Sequence, residues 1–568
     1  MKRALIIIAI VLLAVALIAG VILLGKRAVE VFSQMGDIFS ASGSLFPSDT
    51  GEIPNSTNKV HQNGSERATD PIGDPDATEH PTDAEGESSD GENNGQNNIF
   101  VFSNSIIYGG YAVSLKDYLS NDGIVRFPSQ HPNGGPVVEI AESVANSTAG
   151  IREVIIPDSV ESIADHAFEG FSNLETVVLG KSVRNIGYSA FLDCTSLKNV
   201  VLNESLDSIL GGAFTNCTAL EYIDLPEGLN GIYPYAFEGC ISLKEIVLPE
   251  DMRYLDNCAF KGCTSLERIT LPALEEPIYD HLFEGCTSLK YVEIEGSLTE
   301  IANGMFLGCT SLVEVNIPDT VTTIGDMAFL ECKALENIDI PKSMISIGNS
   351  AFEGCSSLKS IHIPAKVNKI GSLALSTEAL ESITVDAKNP IYRSEGNCLI
   401  KNDVNAIVFS CKTSVIPKNS AVNTIGKYAF ANSTLKNLSI PDNITSISTR
   451  AFMNSSIEEI FIPASVTSIT AEAFKGCNSL RTVVFDGNVE FLGQKLFEGC
   501  TALTTISLPA SIAKIPTDLL SYSPNFKQIN YSGTKNQWNA IEKSDNWLEN
   551  APHFTVVCTD GEIEYISD

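Results

Sequence analysis

Ten of the 14 cysteines fall at one phase of the chain: Cys194, Cys217, Cys240, Cys263, Cys286, Cys309, Cys332, Cys355, Cys477 and Cys500. Thiols so placed could form disulfides, bind metal or act as nucleophiles, and the spacing tests each chemistry. Zinc needs paired ligands two to four residues apart, commonly with histidine, and this series has neither. Stacked units would bring neighbouring cysteine Cα atoms to roughly 5 Å, within bonding range, but such side chains point the same way and pack on their neighbours. The expectation is a column of small buried thiols. Cys398 and Cys411 lie outside the phase, and the sequence leaves open whether they are bonded. The histidines, His61, His80, His131, His166, His281, His362 and His553, are scattered, and no nucleophile elbow, phosphate loop or dinucleotide loop accompanies them. Neither catalysis nor a cofactor or metal is expected.

The same period appears in the aromatic residues. Phe168, Phe191, Phe214, Phe237, Phe260, Phe283, Phe306, Phe329 and Phe352 follow one another at 23-residue intervals, and Phe430, Phe452, Phe474 and Phe497 resume at 22 or 23. Leu375 and Leu520 keep the phase, and Val144 occupies it in a degenerate first unit, Ile140 to Pro157. This is an internal repeat. In the unit ISIGNSAFEGCSSLKSIHIP, Leu358, Ile361 and Ile363 give L-x-x-I-x-I, the alternation of a strand buried on one face, and Pro364 ends its ladder. Ile345 and Ile347 suit a shorter extended piece, and Ala351 to Cys355 a tight helical turn. One unit cannot bury its apolar face alone, whereas a stack can. The expected fold is a repeat solenoid, mainly β with short helical turns, of about 16 rungs spaced by roughly 4.8 Å.

The recurring I-G-x-x-A-F-x-G-C-x-S-L-x-x-I-x-I-P pattern resembles the BspA-like bacterial leucine-rich-repeat surface proteins, over Ile140 to Ile529. The resemblance implies a surface-exposed protein engaged in adhesion or protein binding, without catalytic residues. It does not name a partner.

Around the repeats the composition changes. Lys2 and Arg3 precede an apolar run from Ala4 to Leu24 that stops at Lys26 and Arg27. The run is long enough to cross a bilayer. It reads as an uncleaved anchor with the N-terminus cytoplasmic and the repeats extracytoplasmic; the alternative is a cleaved signal and secretion. Residues 28–98 are rich in Ser, Asp, Glu, Gly, Asn and Pro and read as a disordered acidic linker. The remaining divisions are an N-terminal cap (99–139), repeats (140–380), a hairpin-like insert (381–424), repeats (425–529) and a C-terminal cap (530–568) containing Trp538 and Trp547. The balance of 37 Lys+Arg against 70 Asp+Glu, net −33, excludes nucleic acid as a partner.

A binding face follows from the strand register, because residues between the buried positions of L-x-x-I-x-I point outward. The centre positions include Asp224, Glu293, Asn316, Asp339 and His362, flanked by Tyr222, Arg268, Tyr291, Glu314 and Asn337. The expected ligand is a protein with a basic or hydrogen-bonding surface, on a host or neighbouring cell. Two other readings stand beside it: a self-associating structural envelope protein, and a carbohydrate-binding accessory protein that uses the insert and the C-terminal tryptophans.

Overall fold

A computed structural model of the chain describes residues 99–566 except 117–121, 144–147, 149, 275–276, 297, 488 and 490. The expected membrane anchor, the acidic linker and the degenerate aromatic position Val144 lie outside the described residues. No described helix is long and apolar enough to cross a membrane.

The described chain is a β-solenoid of about 19 turns. The surplus over the 16 rungs expected arises because the caps and the insert also pair in parallel with their neighbours. Each full rung has a long strand, a short strand and a turn. In the rung around Phe352, the short strand Ser346–Ile347 pairs in parallel with Thr323–Ile324 and Lys369–Ile370, while the long strand Ser360–Ile363 pairs with Ser382–Val385. Ile347, Phe352, Cys355, Leu358, Ile361 and Ile363 of this one unit are all buried. Burial of six apolar side chains per rung, at roughly 1.5–3 kcal/mol for each of the larger ones, is what the stack gains over an isolated unit.

The phenylalanines form two continuous columns. From Phe168 to Phe352 successive ring centroids are 5.2–5.8 Å apart with planes within 23°. From Phe430 to Phe497 they are 5.1–5.7 Å apart. Identical rings on rungs of fixed rise have no other way to meet, and offset stacking adds to their area burial.

The expected helical turns are absent. The one α-helix among the described residues is Lys535–Ala540, in the C-terminal cap. Two left-handed residues per rung prevent a helix from propagating: in the rung of Phe352 these are Ser350 (φ 52°) and Gly354 (φ 73°), two places before and after the ring. The alternating backbone turns its N–H groups toward the next rung. Ser350, Phe352 and Gly354 donate to the carbonyls of Ser372, Ala374 and Ser376 at 2.9–3.0 Å. The turn is thus a third inter-rung ladder, invisible to a pattern reading that knows only helix and strand.

The stretch after Leu380 does form hairpins. Tyr392–Glu395, Cys398–Lys401 and Ala406–Phe409 are antiparallel, and the last pairs in parallel with Thr424–Ile425. Cys398, Leu399, Ile400 and Ile407 of this stretch are buried within the stack. The hydrophobic core divides here, with Leu399 and Phe409 in the N-terminal part and Cys398, Ile400 and Ile407 in the C-terminal part.

Candidate functional site

The cysteine column is sealed. Every ladder thiol is buried, and each Sγ–H donates to the phenylalanine carbonyl of the preceding rung at 3.0–3.3 Å. Burial pushes Cys194, Cys240, Cys286 and Cys355 up to about 12. A thiol held neutral and out of solvent is neither nucleophile nor metal ligand. Ser523 occupies the same phase and donates to Phe497 O at 2.8 Å, so the position selects a small hydrogen-bond donor, not sulfur chemistry. Cys398 and Cys411 are both free thiols. Cys411 Sγ lies 3.5 Å from the carbonyl oxygen of Asn397, and Cys398 Sγ 3.8 Å from that of Val415.

The described histidines do not converge. His166 Nδ1 meets Glu169 at 2.6 Å, His131 stacks on Tyr111, and His362 Nδ1 is 3.0 Å from Thr384 Oγ1. Among the described residues no three His, Cys, Asp or Glu side chains are grouped to hold a metal ion.

All ten side chains expected on the binding face are exposed: Arg268, Tyr291, Glu293, Glu314 and His362 on long strands, Tyr222 at an isolated bridge, and Asp224, Asn316, Asn337 and Asp339 at the same phases where the chain forms no strand. Parallel register aligns them in rows. Arg268, Tyr291 and Glu314 are successive partners in one row, and Thr270 pairs with Glu293 in the next. The Arg268 guanidinium sits 5.9 Å from the Tyr291 ring centre. Tyr222 and Glu245 form an isolated parallel bridge in the rungs between the strands Asn199–Val201 and Arg268–Leu271. One row further out, charge alternates from rung to rung, and Lys198–Glu175, Lys244–Glu221 and Lys290–Glu267 pair at 3.5, 2.5 and 3.0 Å. Such exposed pairs contribute little to stability. Their effect is to neutralise that edge, so the acidic character belongs to Asp224, Glu293, Glu314 and Asp339.

The expectation passed over the apolar members of the same face. Val201 is 51% exposed and Val247 73%, in the same row as Asp224, and Tyr222 beside them is 54% exposed. Asn199, Val201, Tyr222 and Asp224 line a shallow groove of about 550 Å³. The signal was present: in L-x-x-I-x-I the same outward position that holds Asp224 holds valine in the rungs on either side. The face therefore runs from apolar near residue 200 to acidic near residue 339.

The C-terminal tryptophans pack into the end of the core, Trp538 fully and Trp547 in part. Trp538 is fully buried, donates its Nε1–H to the Tyr565 hydroxyl at 2.9 Å, and packs edge-on against Tyr531. Trp547 packs edge-on against Phe554 and Tyr565. Both close the end of the core, which is what a terminal rung requires.

The family model for the BspA type leucine-rich repeat region matches the chain in six copies, over residues 138–267, 276–396 and 400–531. That is more than half of the sequence, and the chain belongs to this family. Among solved structures, a leucine-rich repeat protein from Bacteroides ovatus is 23% identical over 81% of this chain and 98% of its own, with a TM-score of 0.44. A leucine rich cell surface protein from Faecalibacterium prausnitzii is 24% identical over 80% of this chain and 99% of its own, with a TM-score of 0.32. The leucine-rich repeat protein of T. pallidum is 30% identical over 38% of this chain and 89% of its own, with a TM-score of 0.30. No curated protein matches the chain.

Proposed function

We propose that the chain is a non-catalytic binding protein that captures another protein on the outward face of its long strands, in adhesion at the cell surface. The apolar segment Ala4 to Leu24 would hold it in the membrane, with the repeats outside. One observation carries the reading: ten side chains from Tyr222 to His362, at two phases of successive rungs, are all exposed, next to an apolar end formed by Val201 and Val247. Extended repeat surfaces of this kind suit macromolecules better than small ligands. Tyrosine and arginine dominate the energetics of protein interfaces, and Tyr222, Arg268 and Tyr291 are the face's candidates for that role. The acidic rows favour a partner with a basic or hydrogen-bonding surface.

The test uses the full chain in detergent to capture proteins from host-matrix and neighbouring-cell surfaces, in parallel with a variant carrying alanine at Tyr222, Asp224, Tyr291, Glu293 and Asp339. A protein retained by the parent and lost by the folded variant supports the proposal. Equal retention moves the site off this face. Failure of both to retain anything, with concentration-dependent self-assembly of the chain, replaces the proposal with a structural envelope role.

A further inference from the structure

The short-strand side carries its own cluster of exposed aromatics, away from the face just described. Tyr188 is 49% exposed, Tyr254 41% and Tyr279 47%, and Tyr233 is half-buried between them. The rings of Tyr233 and Tyr254 are roughly parallel, with centroids 6.4 Å apart. Two glycines make room for the array: a Cβ at Gly211 would come within 3.1 Å of the Tyr188 ring, and one at Gly231 within 3.2 Å of the Tyr233 ring.

Local sequence explains why the cluster sits here. In several rungs the residue after the short strand is glycine, as at Gly187, Gly325, Gly348 and Gly371, because a Cβ there would run into the backbone of the preceding rung at 2.4–2.7 Å. Between these, the same position holds Leu210, Tyr233, Asp256, Tyr279 and Ala302. Pro277, which cannot donate to the short-strand ladder, interrupts the sheet between Tyr254–Leu255 and Glu300–Ile301. The region departs from the repeat's own packing rule, and it departs toward tyrosine.

Beside the tyrosines runs a row of planar polar groups. Arg184, Asp207, Asn230 and Arg253 occupy one phase in four consecutive rungs, linked by backbone hydrogen bonds of 2.7–2.9 Å from each N–H to the carbonyl of the one before. Arg184, Asp207 and Arg253 are exposed. Asp207 also accepts from Asn230 Nδ2 and from Ser208 Oγ. The row holds two cations and one anion, and Asp256, next to Tyr233, supplies a second anion. Glu161, whose carbonyl accepts the Arg184 amide at 2.8 Å, Asp165, whose side chain accepts the Tyr188 amide at 2.7 Å, and Asp280, next to Tyr279, add further carboxylates, so the patch is acidic on balance.

From this juxtaposition we infer that Tyr188, Tyr233, Tyr254 and Tyr279, with the Arg184–Asp207–Asn230–Arg253 row, bind a neutral polysaccharide. Tyrosine faces offer flat apolar area to the C–H face of a sugar ring, while their hydroxyls remain hydrated at the rim. Guanidinium, carboxylate and amide groups each present two coplanar donors or acceptors, the arrangement that pairs with adjacent sugar hydroxyls. The excess of carboxylates repels anionic glycans and leaves neutral ones.

Affinity electrophoresis of the full chain through gels containing β-glucan, mannan, dextran, heparin or polygalacturonate tests this. At least one neutral polysaccharide retards the parent, and Tyr188→Ala and Tyr254→Ala each weaken the retardation by about two- to tenfold, the worth of one stacking contact. Tyr254→Phe retains the face and most of the affinity. Tyr222→Ala and Tyr291→Ala, on the strand face, leave it unchanged, which separates this site from the protein-binding proposal. Absence of retardation by every neutral polysaccharide overturns the inference, as does equal retardation of a folded Tyr188→Ala/Tyr254→Ala variant. Retardation only by the anionic polymers, or loss of a protein partner in the tyrosine variants in place of a glycan, also overturns it.

Discussion

The thiol of Cys286 donates to the main-chain oxygen of Phe260, one rung back, at 3.1 Å, and the same oxygen accepts the amide of Cys263 at 3.1 Å. Ring column and thiol column are therefore one device. The phenylalanine fills the centre of each rung, and the cysteine of the next rung saturates its carbonyl.

Replacing that thiol tests the hydrogen bond directly. Cys286→Ser keeps a donor of similar size, as Ser523 does naturally, whereas Cys286→Ala removes it. The alanine variant is expected to be less stable than the serine variant by about 1 kcal/mol in denaturant titration. Equal stabilities would assign the position to packing alone.

Buried thiols also set an alkaline limit. In the unfolded chain these groups ionise near 9.0, whereas in the fold Cys194, Cys240, Cys286 and Cys355 are pushed up to about 12. Above pH 9 the unfolded state releases protons that the folded state keeps, so stability falls as pH rises from about 9 toward 12 and is unaffected by these groups below. Thermal melts from pH 8 to 11 check the sign, and serine at the four positions should flatten the decline.

The ring column predicts local damage. Phe283 is fully buried between Phe260 and Phe306, and Phe283→Ala should cost about 3–5 kcal/mol. Because a solenoid is stabilised by nearest-neighbour contacts, hydrogen exchange should rise around residues 260–306 and stay unchanged around 452–497.

The left-handed turn positions should be asymmetric in their tolerance. Gly308 (φ 71°) and Glu331 (φ 62°) occupy the same place in successive rungs. Gly308→Val forces a branched residue into a left-handed conformation and should destabilise by about 2 kcal/mol, while Glu331→Gly should change stability by under about 1 kcal/mol. Chemical denaturation of both variants distinguishes them.

What could be read in the sequence was whatever repeats. Phenylalanine and cysteine at fixed intervals revealed the stack, and the alternation around Ile361 and Ile363 gave the outward register of Tyr291 and Glu293. Features carried by backbone conformation were not readable. Ser350 and Glu331 adopt left-handed angles that composition does not announce, so a compact turn looked helical. Departures from the repeat were also passed over. Val247 and the tyrosines at 188, 233, 254 and 279 were in plain view, but each sits at a place where most rungs hold something else. Trp538, placed in the C-terminal cap and offered in one alternative as a carbohydrate contact, is fully buried at the end of the core and so unavailable for that contact.

The central claim is that a protein partner sits across the long-strand face, and hydrogen exchange of the full chain with and without the captured partner tests it most directly. The account predicts slowed exchange in Arg268–Leu271, Tyr291–Ile294 and Glu314–Val315, with the short strands Ser208–Ile209 and Tyr254–Leu255 unchanged. Protection confined to the short-strand side, the insert or the C-terminal cap, with none on those three long strands, would contradict it.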